Sequence, residues 1–444
     1  MEEEKSKKSI IIFVIVVVLL AAALAAYLIN RNRLMQEAEN VGFYLETIWE
    51  APSDGSDSES LDFNAATLNV QLERQGFVNG MNAARKSRTF NEILVSEETS
   101  MSQLSIRLAT LDNYYDIVMS MGATTDRGTL YGTMTTTFFS IPMLIPFSDG
   151  DFPQNYNQSY IFRTSVNGNN YENFVRDNIF RMDFVQDLNT LLFENRPIPD
   201  YQLNAGIFFR NITNGNENAI RITQVMMDAG VNIDFYEPTT EGSLLTVFNG
   251  LAAERYNDLK NLDIVFILGE DQDPIANVEE VVSFWDDLEV KPAIVLISVP
   301  PENENLAVKD NVYLIRQKLD MSRCPNAIQT HEEAAGYAAG YITQTVLEQT
   351  AENVKPDPLA LLYFLETPEQ RQARDDAYLQ RFREGVWNSL QNIQATDIPC
   401  FGKSNDLKLE IVRMTKDPRV TPMDDSEIYR YLVDRVRTLY GGAF

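Results

Sequence analysis

Short apolar runs alternate with longer segments of helical periodicity along most of the chain. Each run is followed by polar or glycine-containing residues, which is typical of a buried strand that ends at a loop. Between residues 64 and 84 the apolar residues instead recur at near-helical spacing, and a further helix is predicted over residues 103–111. The predicted strands are residues 41–45, 91–95, 116–121, 141–145, 205–209, 264–268 and 293–297.

Strands separated by helices predict parallel sheets that are covered on both faces and joined by right-handed crossovers. The predicted fold class is therefore α/β. The predicted strands extend over more residues than a single domain usually contains. We therefore expect two doubly wound parallel-sheet lobes rather than one large sheet. Ligands of open α/β sheets lie beyond the carboxyl ends of the strands, and two such lobes would face a shared cleft.

One apolar run differs from all the others in length. Residues 10–29 carry no charge and, as a helix, would span the hydrocarbon core of a bilayer. Three lysines precede the run and Arg31 and Arg33 follow it, a small bias towards a cytoplasmic N-terminus. The alternative is a cleaved signal peptide with small residues at 23–26, but the run is longer than a usual signal-peptide core. We expect a retained transmembrane anchor that contacts the lipid bilayer.

Composition narrows the choice of partners. The chain has 444 residues, 64 acids against 37 bases and a formal net charge of -27. Nucleic acid and anionic lipid are poor partners for the folded part, because like charges repel the phosphates. A soluble, acidic domain outside the cytoplasm fits this charge better.

The side-chain inventory argues against an enzyme. His331 is the sole histidine and opens a predicted helix, which favours a surface residue over a catalytic base. No zinc-protease, CxxC, P-loop or dinucleotide-binding motif occurs. The acid pair Asp425 and Glu427 could serve a glycosidase, but such pairs arise by chance in an acidic chain. Residues 270–273 resemble the start of a calcium loop, but Pro274 follows them. We expect no catalytic residue, no metal and no cofactor.

Cys324 and Cys400 are the only cysteines. In an oxidising compartment they could pair and close a long loop, which would contribute on the order of 4 kcal/mol in the chain-entropy model. Two buried, unpaired thiols are the equally weighted alternative, since free cysteine is among the most buried residue types.

The order and spacing of several segments resemble one known family. These are a long helix, strands followed by polar loops, a crossover and a late glycine-containing helix, at residues 76–84, 93–99, 116–125, 141–148, 160–164, 204–209 and 334–350. Together they resemble the type I periplasmic-binding fold, in particular the leucine-binding-protein-like receptors that collect amino acids and other small solutes. The resemblance extends from about residue 40 to residue 413.

This resemblance implies two lobes with a hinge and an interlobe cleft, on the extracytoplasmic side of a membrane. With residues 1–9 as a short cytoplasmic N-terminus and 10–29 as the anchor, the remaining boundaries are 40–163 for the first part of lobe 1, 164–299 for the main part of lobe 2, 300–395 for a return to lobe 1, and 396–444 for a C-terminal segment partly in lobe 2. Within the last segment, residues 426–439 form a predicted amphipathic helix that either packs on a lobe or faces a partner.

The resemblance also suggests where a ligand would bind. A polar ligand needs hydroxyls, carboxylates and amides in the cleft, with an aromatic wall. The candidates are Thr124, Thr125, Ser148 and Asp149 in loops of the first lobe, Asn211, Asn214, Glu270 and Asp271 in loops of the second, and Trp49 as the wall. Each has a plainer alternative, because such hydroxyls often cap helices, the acids could be solvated and the tryptophan could lie in the core.

The sequence leaves two candidate functions, one as a ligand-binding receptor and one as a protein-binding scaffold. The first is a solute-binding receptor that closes on a small polar ligand, amino-acid-like or related, and passes it to an ABC-type permease or reports it to a partner. The second is a scaffold of the same fold that has lost its ligand and contacts envelope proteins. The short N-terminus before residue 10 leaves no cytoplasmic domain for signalling, so any downstream effect requires a partner.

Overall fold

The computed structural model describes most of the chain beyond residue 42. The described residues are 43–53, 61–86, 88–97, 101–148, 160–181, 202–210, 213–239, 244–269, 278–297, 309–355, 366–393, 398–401, 407–413 and 423–440. The predicted anchor, residues 10–29, lies outside these ranges. None of the helices within them is both long and apolar enough to span a bilayer.

The first sheet has five parallel strands in the order β2-β1-β3-β4-β5. Its strands alternate along the chain with helices, as the α/β prediction requires. The strands are β1 Tyr44–Trp49, β2 Asn91–Ser96, β3 Ile117–Met121, β4 Met143–Ile145 and β5 Ile161–Arg163, and the helices are α1 Leu68–Ala84, α2 Met101–Tyr114 and α3 Asp126–Phe138.

Strand β1 covers Tyr44–Trp49, whereas the sequence predicted a strand over residues 41–45. The prediction ended at Leu45 because Glu46 and Thr47 interrupt the apolar run, but both side chains are buried. Ser120 Oγ donates to Glu46 Oε1 at 2.8 Å, and Thr47 Oγ1 donates to Glu92 Oε1 at 2.7 Å. These hydrogen bonds let polar residues continue the strand inside the lobe.

The second sheet has six strands in the order β11-β10-β9-β8-β6-β7. All neighbours are parallel except the edge strand β11, which pairs antiparallel with β10. The strands are β6 Asn204–Arg210, β7 Asn232–Thr239, β8 Ile264–Leu268, β9 Ala293–Ile297, β10 Val312–Gln317 and β11 Leu409–Arg413. The accompanying helices are α4 Gly168–Phe174, which continues as a π-helical turn over Val175–Ile179, α5 Thr213–Asp228, α6 Leu244–Glu254, α7 Tyr256–Lys260 and α8 Val278–Ser283.

Two long helices return to the first lobe. Helix α9, His331–Asn353, begins at a capping box formed by Thr330 and Glu333 and packs along α1. Helix α10, Pro368–Asn392, packs against α9 and β3. Its side chains Phe382, Val386 and Leu390 enter the core of the first lobe.

The boundary of the return differs from the prediction. Residues 300–395 were assigned to lobe 1, but β10 lies in the second sheet, so the return begins after Gln317. Strand β10 was not among the predicted strands; its apolar run is only four residues long and ends in the polar residues Arg316 and Gln317. The C-terminal helix α11, Glu427–Tyr440, buries Ile428, Leu432 and Val436 in the core of the second lobe. Packing on a lobe is therefore what the structure shows for this helix.

Within the described residues the chain crosses between the lobes three times. The crossing segments are residues 164–167 after β5, residues 318–330 after β10, and residues 398–401 before β11. Gln317 Nε2 donates to the Thr164 carbonyl oxygen at 2.6 Å, which links the first crossing to the second. A disulfide between Cys324 and Cys400, and a 3.0 Å hydrogen bond from the Asp320 amide to the Cys400 carbonyl, link the second to the third.

Candidate ligand-binding site

The carboxyl ends of β1, β2 and β3 lie side by side in the first sheet and carry a cluster of buried polar groups. Thr124 and Thr125 follow β3, and Glu97 directly follows β2. The Glu97 amide donates to the Trp49 carbonyl oxygen at the end of β1, at 2.9 Å. The sheet order thus brings residues from two separate loops to one place, at the edge where ligands of α/β folds bind.

Thr124 and Thr125 direct all their described donors to the Glu97 carboxylate. The Thr124 amide lies 2.6 Å from Glu97 Oε1, and the Thr124 hydroxyl donates to the same oxygen. The Thr125 hydroxyl lies 2.5 Å from Oε2, and the Thr125 amide lies 3.2 Å from both oxygens. Thr125 also caps α3, since its side-chain oxygen accepts from the Gly128 amide at 3.0 Å. The helix-cap alternative for Thr125 is therefore present in the structure.

The Glu97 carboxylate is 2% exposed and sits at the N-terminus of α3. Burial raises its pKa from 4.5 to about 7, although the hydrogen bonds from Thr124 and Thr125 act in the opposite direction. The helix dipole also favours a negative charge at this position. Glu97 was not among the candidate site residues predicted from the sequence. The signal that could have found it is an acid at the carboxyl end of one strand, beside two threonines at the end of its near neighbour.

Trp49 is the last residue of β1 and is fully buried. Its ring packs against Phe63, Phe77 and Phe147, with centroid distances of 5.9, 5.8 and 5.6 Å, and the Arg74 guanidinium lies 5.5 Å from its centroid. Trp49 therefore belongs to the core of the first lobe in this structure, and does not form an open aromatic wall. An aromatic residue at the end of a central strand is enclosed by the helices that cover the sheet.

Ser148 is buried just beyond β4. Its carbonyl oxygen accepts from Arg163 Nη1 at 2.6 Å and from the Ser165 hydroxyl at 2.5 Å, so the loop is tied to the first crossing segment. Asp149 lies outside the described residues.

Most of the predicted site residues of the second lobe lie outside the described part of the chain. Asn211, Glu270 and Asp271 lie outside the described residues, and Asn214 lies in the first turn of α5, with a side chain that is not described. The described carboxyl ends of this sheet do carry polar groups that sequence reasoning missed. Arg210 ends β6 and is buried, and Thr239 ends β7 with its hydroxyl donating to the Phe209 carbonyl oxygen at 3.1 Å.

The structure corrects the prediction that His331 is a surface residue. The ring is partly buried, and its Nε2 lies 2.8 Å from the Gln317 carbonyl oxygen at the second crossing. Burial, with Arg316 nearby, lowers the pKa of His331 to about 3, so the ring is neutral and its N–H donates to that carbonyl. Across the described part of the chain, no group of three His, Cys, Asp or Glu side chains could hold a metal ion.

Comparison with known proteins supports the fold through solved structures of low sequence identity. No protein-family model matches the sequence, and no curated protein matches it either. Among solved structures, a leucine-binding protein from Thermotoga maritima is 10% identical, with a TM-score of 0.53 over 86% of this chain and 98% of that one. An extracellular ligand-binding receptor from Rhodopseudomonas palustris is 10% identical, with a TM-score of 0.53 over 86% and 99%. A fatty acid ABC transporter substrate-binding protein from Thermomonospora curvata is 11% identical, with a TM-score of 0.53 over 87% and 94%. Two parallel sheets, three crossings and these similarities together give the chain the type I periplasmic-binding fold.

Proposed function

We propose that this chain is an extracytoplasmic solute-binding receptor, anchored by residues 10–29, that captures a small polar ligand between its two lobes and catalyses nothing. The observation that carries the proposal is the architecture: two parallel sheets joined by three crossing segments, with polar residues at the carboxyl ends of the strands. Similar structures named as leucine-binding and substrate-binding proteins support it. In such a protein, ligand binding favours the closed arrangement of the lobes.

The ligand would lie between Thr124, Thr125 and Ser148 of the first lobe and Asn211, Asn214, Glu270 and Asp271 of the second. Asp149 would contribute from the loop after Ser148. The bound solute would pass to an ABC-type permease or be reported to a membrane partner.

A thermal-shift screen tests this function directly. The purified full-length chain is screened against amino acids, small peptides, sugars and nucleosides. A ligand at a hundred times its Kd is expected to stabilise the folded protein by about 2.7 kcal/mol. If no compound of any class raises the Tm, the receptor proposal is wrong.

The proposed membrane topology has its own test. A protease added to intact cells should cleave within the region after Arg33, because that region would lie outside the cytoplasm. Complete protection in intact cells, with cleavage after lysis, would place the folded domain inside and contradict the proposal.

One observation favours the second function, a scaffold that contacts envelope proteins. The donors of Thr124 and Thr125 are engaged by the chain's own Glu97. A scaffold would show no thermal shift with any solute, yet would co-purify with an envelope protein after cross-linking in intact cells.

A further inference from the structure

Four donors converge on one point at the N-terminus of α3. They are the amides and hydroxyls of Thr124 and Thr125, and each makes a hydrogen bond to a Glu97 oxygen. Two amides and two hydroxyls at a helix N-terminus form a set that suits a carboxylate, because every group donates and the helix dipole favours negative charge. The group held there is a carboxylate, and it comes from the chain itself.

The backbone around Glu97 fixes its side chain in this position. Its amide is bound to the Trp49 carbonyl oxygen, and the side chain is almost completely enclosed. Residue 128 in the first turn of α3 is a glycine, and a Cβ there would collide with Glu97 Oε2. The first turn of the helix therefore leaves space for the carboxylate that fills it. The acid follows β2 and the glycine lies in α3, and each suits the other.

A second carboxylate would compete with Glu97 for these donors. Each hydroxyl has one proton to donate, and two carboxylates held at hydrogen-bonding distance from the same groups would repel each other strongly. An external carboxylate would have to displace Glu97, whose own charge would then remain buried without its hydrogen bonds.

We propose that Glu97 is a specificity-determining residue that occupies the carboxylate-binding position of the first lobe, so that the cleft selects polar solutes without a carboxylate at that end. The ligand class would be neutral or cationic, such as sugars, nucleosides or amines, and free amino acids would be excluded from this position. This inference rests on the proposed receptor function for its ligand class, but the exchange of carboxylates at α3 can be measured without knowing the ligand.

The test is chemical rescue of Glu97→Ala. The substitution removes the internal carboxylate and leaves the four donors, so acetate should fill the vacated position. We expect acetate to raise the Tm of this variant in a saturable way, with half-saturation at a concentration roughly tenfold lower than any effect on the wild type. Acetamide, which has the shape of acetate without its charge, should not reproduce the rise. Chloride at the same ionic strength as the acetate should not reproduce it either.

Glu46→Ala is the matched control. Glu46 is also a buried glutamate of the first sheet, but its described hydrogen bond comes from Ser120 within β3 and not from a helix N-terminus. Acetate should not rescue Glu46→Ala. Equal rescue of both variants would show a general filling of cavities and would overturn the proposal, as would the absence of any acetate response in Glu97→Ala.

A second variant covers the case in which Glu97→Ala does not fold. Glu97→Ser also removes the carboxylate and leaves the four donors in place, so it should show the same acetate response. No response in a folded Glu97→Ser protein would overturn the proposal, as would wild-type protein binding a free amino acid as tightly as the Glu97→Ala variant. Failure of the solute screen on the wild type bears only on the receptor function, because the acetate experiment is read on the variants.

Discussion

The two sheets have different interiors. In the second sheet, the central strands β8 and β9 consist entirely of buried apolar residues. In the first sheet, β1 contains the buried Glu46 and Thr47, β3 contains Ser120, and Glu97 follows β2. The first lobe thus encloses polar groups in and just beyond its strands, whereas the centre of the second is apolar.

The buried acids of the two lobes are also stabilised differently. In the second lobe Asp263 meets Arg435 at 3.1 Å, and Glu410 meets Arg316 at 2.9 Å. In the first lobe Asp112 also meets an arginine, Arg383, at 2.6 Å. The hydrogen bonds described for Glu46 and Glu97 come instead from hydroxyls and amides, and burial raises the pKa of each to about 7. Burial raises the pKa of Glu410 as well, but the Arg316 charge opposes that rise, whereas the hydrogen bonds described for Glu46 and Glu97 come from neutral donors. The two lobes should therefore respond differently to mutation and to pH.

The largest expected effect comes from breaking the buried ion pair of the second lobe. Arg435 on α11 donates to Asp263 and to the Leu262 carbonyl oxygen, and both charged groups are buried. Arg435→Met would leave the Asp263 charge without its partner, so we expect the free energy of unfolding to fall by about 3–5 kcal/mol in urea denaturation.

The control for this prediction lies in the same helix. Arg437 pairs with Asp434 at 3.4 Å, and about half of its side chain is exposed. Arg437→Met should cost less than about 1 kcal/mol, because exposed ion pairs contribute little. A small loss for Arg435→Met, similar to that for Arg437→Met, would show that ion pairing is not what secures α11 to the second lobe.

The next effect concerns the link between the lobes. The disulfide joins cysteines that are 76 residues apart, and it connects the second and third crossing segments. Replacing both with serine should lower the free energy of unfolding by about 4 kcal/mol, because the unfolded chain gains the freedom of a long loop. Neither cysteine of the wild-type protein should react with a thiol reagent before reduction. Labelling of both in the native protein would contradict the pairing.

The contrast between the lobes also explains which parts of the fold could be predicted. Strands β8 and β9 were predicted to the residue, because each is a buried apolar run bounded by polar residues. The ends of β1 were predicted wrongly because buried polar residues look like a loop in the sequence. Strand β7 was missed for a related reason, since it contains an acid pair and a proline at the edge of its sheet.

The site could be predicted only in part. Thr124 and Thr125 could be chosen from their place after a strand, and the structure puts them at the carboxyl edge of the first sheet. Glu97, the acid they bind, lies 27 residues before Thr124. Its relation to the threonines depends on the sheet order β2-β1-β3, which places the ends of β2 and β3 on either side of β1. Periodicity along the chain carries no information about that order.

A pH titration tests the same comparison, and the effect expected for each titrating group is intermediate in size. The folded-state pKa values of Glu46 and Glu97, both about 7, lie above the ordinary value of 4.5. The folded state therefore binds more protons than the unfolded state between these values, and stability falls as pH rises from about 4.5 to about 7. Each glutamate should contribute on the order of 3 kcal/mol to that fall.

The measurement is denaturant unfolding across this pH range. The double variant Glu46→Gln/Glu97→Gln should lose most of the pH dependence, since a carboxamide does not titrate. A wild-type protein whose stability is flat or rises between these pH values would show that both carboxyls remain ionised inside the lobe, and the contrast with the second lobe would fail.

The smallest effects come from the same substitution made in each lobe, with opposite expected signs. Helices α1 and α9 of the first lobe approach closely through Gly76, Gly80, Gly336 and Gly340, where an added Cβ would collide with the backbone of the other helix. Gly80→Ala should force the two helices apart and lower the free energy of unfolding by about 1–3 kcal/mol.

Gly250 in α6 of the second lobe is also helical, but an added Cβ there would have no atom within 4 Å. Gly250→Ala should raise the free energy of unfolding by up to about 1 kcal/mol, because alanine favours the helix and no contact opposes it. Thermal or urea unfolding of the two variants under identical conditions measures the difference. If Gly80→Ala were as stable as Gly250→Ala, the close approach of α1 and α9 would have to relax freely, and the first lobe would be less tightly packed than its glycine pairs indicate.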